Sequence, residues 1–128
     1  MFDEFDIIDF VFGYVKQADT GLPIYKDKSP KGEKGNHIVI NHLQFVELDF
    51  LDKLPININI FYRQHEKNGM TDRSVKEVKR RIANSIKTIT HTNGQYRKVK
   101  IEFSQRIPDF KEGFDCTNIR IVLTTDKN

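Results

Sequence analysis

Apolar residues return every three or four positions near the start of the chain, at Phe5, Ile8, Phe12 and Val15. That spacing is the core-facing stripe of an amphipathic helix, and it predicts a helix over about residues 3–18. Ile7, Phe10 and Val11 widen the stripe, and Asp19-Thr20-Gly21 stops it. A second helical stripe runs through Val75, Val78, Ile82, Ile86 and Ile89. Ser74 and Glu77 precede it with the spacing of a capping box, in which the two side chains satisfy each other's backbone amides.

Between and after these helices the period changes from 3.6 to 2. Ile56, Ile58, Ile60 and Tyr62 alternate with Asn57, Asn59 and Phe61, which predicts a strand with one buried face and one largely polar face. His37 to Phe45 forms an earlier strand, preceded by a short extended piece, Leu22 to Tyr25. Val99, Ile101 and Phe103 mark a later strand, and Ile119, Ile121 and Leu123 a last one, joined by a hairpin-like loop from Pro108 to Gly113. Asn68-Gly69 and Asn93-Gly94 punctuate the connections. The order is helix, strand, strand, helix, strand, strand. One-sided alternation and adjacent late strands favour antiparallel pairing, so the expectation is an α+β domain over residues 1–128, a mostly antiparallel sheet packed by two helices. The length fits one domain and one core, to which ten phenylalanines contribute volume.

Charge changes the picture through its placement, because the net value is only +3. Residues 3–9 hold Asp3, Glu4, Asp6 and Asp9 without a base, and the first three favour the positive end of a helix dipole. Residues 73–87 hold Arg73, Lys76, Lys79, Arg80, Arg81 and Lys87 against Glu77. At 100° per residue Arg73, Lys76, Arg80 and Lys87 share one narrow sector, opposite the isoleucine stripe. Lys98, Lys100 and Arg106 read as one face of a later strand. A third basic segment, about residues 26–36, carries Lys26, Lys28, Lys31 and Lys34 with Gly32 and Gly35 and reads as a mobile loop. It runs into a strand rather than a helix start, so it lacks the geometry of a phosphate-binding loop.

Candidate chemistry is sparse. His37, His42, His65 and His91 are scattered, and His37 and His42, five apart in one strand, point to opposite faces. Cys116 has no second cysteine to form a disulfide or a zinc site and reads as a partly buried thiol. No stretch is apolar for long enough to span a membrane, and the acidic start is unlike a signal peptide. The expectation is therefore a protein without catalysis or cofactor. A small nucleic-acid-binding module using helix 2 and the lysine loop is the alternative, although no aromatic residues interleave with the basic row.

The layout as a whole resembles the tail-completion or tail-terminator family of long-tailed phages and prophages. The likeness lies in the apolar N-terminal helix, Ile24-Tyr25, the polar loop with Ser29-Pro30, and the strand opening from Asn36 to Ile40. It continues through the alternating strand from Ile56 to Tyr62, the helix from Ser74 to Ile89, and the closing strands. The resemblance implies a small subunit that forms a homo-oligomeric ring, commonly a hexamer, at the head-proximal end of a tail. There it would cap tail-tube polymerisation and meet the head connector, in the virion and, during assembly, in the bacterial host cytoplasm. A ring needs two different matching patches on each subunit. The acids Asp3, Glu4 and Asp6 and the bases of helix 2 are the candidates, with the Lys26–Lys34 loop as an arm that orders on assembly.

Overall fold

A computed structural model of the chain describes residues 3–47, 51–70, 72–89, 91–92 and 95–126. Two helices, α1 (Glu4–Gln17) and α2 (Val75–Ile86), lie on one face of a seven-stranded sheet. The strands are β1 (Ile24–Lys26), β2 (His37–His42), β3 (Val46–Glu47), β4 (Leu51–Arg63), β5 (His91–Thr92), β6 (Gln95–Lys111) and β7 (Phe114–Asp126). Their order across the sheet is β1-β2-β4-β7-β6-β5, with β3 on the start of β4. Every pairing is antiparallel except β1 with β2. The α+β class and the order of the long elements are those the sequence predicts, and three short strands join them. Asn93-Gly94 lies outside the described residues.

Period-2 alternation builds the core. Ile40, Ile58 and Ile119 stand side by side on β2, β4 and β7, as do Ile38 and Ile60 on β2 and β4. All five are buried under the helices together with Ile7, Val11, Ile82 and Ile86. Helix α1 turns differently from its expected stripe: Ile7, Ile8, Val11 and Val15 are buried, whereas Phe5 is 66% exposed. A left-handed residue, Asp19 at φ 51°, follows the helix, and aspartate is one of the few residues that tolerate that conformation.

The other face of the sheet is not simply polar. Asn57 Nδ2 donates to Asn41 Oδ1 (3.0 Å), Asn118 Nδ2 donates to Asn59 Oδ1 (2.7 Å), and Arg120 Nε donates to Asn57 Oδ1. Beside this ladder Val39, Phe61, Phe114 and Cys116 form a second small core, closed by Tyr25 and Ile107.

The late hairpin departs from expectation. Strands β6 and β7 run far longer than the expected loop allows, and the turn is only Glu112-Gly113, with Gly113 at φ 79°. Pro108 sits within β6, where the register skips between Ile107 and Lys111; a proline with no N–H to donate is tolerated at such an irregularity. An earlier bulge lies between Ile101, opposite Ile121, and Phe103, opposite Arg120. The extra residue, Glu102, reverses the alternation. Phe103 therefore leaves the helix face, stands 5.1 Å from the Arg120 guanidinium and stays partly exposed. Beyond the bulge Arg106, opposite Thr117, faces the helices, while Lys100, opposite Val122, faces away. The shared face expected for Lys100 and Arg106 does not exist, and the side chain of Lys98 lies outside the described residues.

Candidate interaction surfaces

Helix α2 begins at Val75, as its sequence signature implies, but it is capped from further back. Ser74 is already helical (φ −64°, ψ −17°) and makes no capping bond. The expected capping box is absent because Asp72 does the work: its Oδ1 accepts from the Ser74 amide (2.9 Å) and hydroxyl (2.8 Å). Those two bonds hold its carboxyl below the usual range. Glu77, released from the cap, pairs with Arg81 at 3.1 Å.

The basic row is where the periodicity puts it. Arg73, Lys76, Arg80 and Lys87 are all exposed. Arg73 stands in the turn before the helix and Lys87 at its C-cap. Arg81, also exposed, instead reaches past the end of α1 and donates to the Asp19 carbonyl (2.9 Å).

The row borders a groove that the sequence does not announce. Helix α2 leaves the β6 end of the sheet uncovered, and Arg106 rises there beside Thr117 to face Arg73, Lys76 and Lys79 across about 120 Å³. The groove continues past Met70, Pro108 and Asp115 into a further hollow of about 320 Å³. Asp115 is buried and accepts a hydrogen bond from Gln64 Nε2 (2.8 Å). Its rim thus carries four cations, and Val75, Met70 and Pro108 give it an apolar lining.

The acids lie elsewhere. Asp3, Glu4 and Asp6 are exposed on the first turn of α1. Asp3 and Asp6 cap it reciprocally: the Asp6 amide donates to Asp3 Oδ1 (2.9 Å), and the Asp3 amide to Asp6 Oδ2 (3.2 Å). Ser85 Oγ donates to the Tyr14 carbonyl, and Arg81 to the carbonyl of Asp19. Later residues of α1 therefore meet earlier residues of α2, so the helices run antiparallel. The acidic first turn of one and the basic first turn of the other stand at opposite ends of the helical layer. A helix the length of α1 spans about 20 Å.

The lysine loop is fastened to the sheet. Lys26 belongs to β1, pairs with Asp9 at 2.7 Å and covers the Phe12 ring. Lys28, Lys31 and Lys34 point into solvent. Around them, Glu33 accepts from the Tyr25 hydroxyl and the Gly35 amide, and Arg63 donates to the Lys34 carbonyl (3.1 Å) and, through its amide, to Asn36 Oδ1 (2.8 Å). The Tyr25 bond, with that of Gly35, holds the Glu33 carboxyl low, and the same bond raises the Tyr25 hydroxyl.

His37 and His42 face opposite sides of the sheet, as their spacing predicts: His37 opposes Phe61, and His42 opposes Ile56. Cys116 is buried, and desolvation pushes its thiol up to about 12. Among the described residues no three His, Cys, Asp or Glu side chains come together as metal ligands, and no helix is long and apolar enough to cross a membrane.

No family model and no curated protein matches the sequence. The fold does have a counterpart. A chain in the virion of a native gene transfer agent particle superposes with a TM-score of 0.63, covering 91% of this chain and 92% of that one at 6% identity. At that identity the likeness is one of fold.

Proposed function

We propose that the chain is a structural subunit of a phage or prophage virion, of the tail-completion kind, which acts through contacts between proteins and performs no chemistry. The observation that carries this reading is the match over nearly the whole of both chains to a virion protein. The order of elements along the sequence agrees with it. The subunit assembles into a ring at the head-proximal end of a tail, with the tail-tube and head-connector proteins as its neighbours. Acids and bases at opposite ends of the helical layer suit repeated head-to-tail contacts, which close a ring when the rotation allows.

The perturbed groups fit a binding protein better than an enzyme. Those of Tyr25, Glu33 and Asp72 are explained by bonds that tie down a loop or cap a helix, that of Cys116 by burial in the second small core, and that of His37 by burial against Phe61 and Phe114.

Electron microscopy of tail tubes grown with and without the protein tests the reading. The expected result is a ring density at one tube end and arrested growth. Tubes of unaltered length with no added density would refute it.

The cation-lined groove favours a second reading, a nucleic-acid-binding module. It predicts a gel shift with duplex or single-stranded DNA that weakens steeply with salt, whereas the virion-subunit reading needs no such shift.

A further inference from the structure

Phe5 is 66% exposed on the first turn of α1, flanked by Glu4 and Asp6. Among the described residues nothing covers that ring: the core stripe of α1 turns past it to Ile7 and Ile8. At the far end of the helical layer the groove has the complementary character. Met70, 64% exposed, and Pro108 offer an apolar seat, lined also by Arg73, Arg106 and the buried Asp115, and Lys76 stands beside Arg73 in the adjoining part of the groove.

We propose that the first turn of α1 in one copy docks into this groove of a second copy. Phe5 packs on Met70 and Pro108, and the carboxylates of Glu4 and Asp6 meet Arg73 and Arg106. The inference rests on the ring-subunit reading and names its two mating surfaces. An aromatic anchor inside a charged rim is the usual anatomy of an energetic hot spot. The capping bonds do not consume the acids: Asp3 and Asp6 each use one carboxylate oxygen in the cap, and the other remains to accept from a guanidinium. The two surfaces differ and lie at opposite ends of the layer, so each copy offers one of each and the contact is heterologous. A short groove with an apolar lining suits one aromatic side chain better than a run of phosphates.

Disulfide trapping on the full chain tests this. One preparation carries E4C, another K76C, and a control carries K100C on the opposite face of the sheet. Cys116, buried and with its thiol at about 12, stays silent. Under mild oxidation E4C should cross-link to K76C at least about tenfold faster than to K100C, since charge complementarity raises encounter rates by that order or more. Roughly 0.5 M salt should slow it by screening, and adding F5A to the E4C chain should abolish the preference. Circular dichroism verifies the fold of each variant, and R73C replaces K76C if that chain is unfolded. Equal rates toward K76C and K100C in folded chains overturn the docking. If rings nevertheless form on tail tubes, only this contact is wrong; if they do not, the ring reading falls with it. A fast cross-link that ignores both salt and F5A also overturns the proposed anchor.

Discussion

The ring of His37 lies nearly flat on Phe61, with centroids 4.9 Å apart and planes inclined by 22°. Its edge joins the lysine loop to the sheet: Nδ1 is 2.7 Å from the Gly35 carbonyl and Nε2 is 2.8 Å from the Ser29 hydroxyl. A carbonyl only accepts, so Nδ1 carries the proton and Nε2 accepts from Ser29. The ring is fully buried, with Phe114 edge-on and Lys111 Nζ 3.4 Å from the same Ser29 hydroxyl. Burial above all depresses its pKa. The Lys111 charge adds to this, while the Gly35 carbonyl and Glu33 pull the other way.

That geometry sets a pH dependence. Because the folded pKa lies below the unfolded value of 6.5, the unfolded chain takes up a proton that the folded ring resists. Stability is complete above that value and is lost as pH falls from it toward the folded pKa. The thermal midpoint should drop between about pH 7 and 5, and His37→Asn should flatten that step. Differential scanning fluorimetry across the range is the measurement; parallel curves for the two proteins would rule His37 out as the cause.

Ile58 tests the main core. It stands between Ile40 and Ile119 on neighbouring strands and is wholly buried. Ile58→Ala removes its contacts under both helices and should cost about 2–5 kcal/mol. Urea unfolding should show a lower midpoint with an unchanged slope.

Asn57 tests the opposite face. Its amide nitrogen serves Asn41 and its oxygen accepts from Arg120 and Asn118. Asn57→Ala leaves these partners unpaired while Asn118 keeps Asn59, so a loss of about 1–3 kcal/mol is expected. Equilibrium unfolding of N57A beside N59A would tell whether the ladder behaves as a unit, since coupled sites depart from additivity.

Cys116 should be chemically quiet. With its thiol at about 12, the thiolate fraction at pH 8 is on the order of 10⁻⁴. A thiol-reactive dye should label the native protein far more slowly than the urea-unfolded one, and equal rates would contradict the buried placement.

The elements legible in the sequence are those whose signal is local and repeated. Val75, Val78, Ile82 and Ile86 give α2 its period, and Ile56, Ile58 and Ile60 give β4 its own; both are buried as the pattern requires. Phe5 belongs to the same period as Ile8 but stays outside, because the wider α1 stripe pivots onto Ile7 and Val11. The Ser74–Glu77 signature misleads because Asp72, two residues earlier, reaches the same amide first. The loop ties are invisible along the chain because partners such as Ser29 and Lys111 meet only through the sheet. Of the candidate surfaces, the acids of α1 and the basic row of α2 are readable from spacing. Arg106 is not, since its face depends on a residue inserted four places before it.

That inserted residue, Glu102, decides which way the hairpin's outer half faces by standing outside the ladder. Dropping Glu102 itself restores simple alternation with Ile101 still opposite Ile121 and Phe103 still opposite Arg120, so Phe103 and Arg106 keep the faces they hold. Were Glu102 instead drawn into the ladder opposite Arg120, every later residue would slip by one, turning Phe103 under the helices and Arg106 away from them in one step.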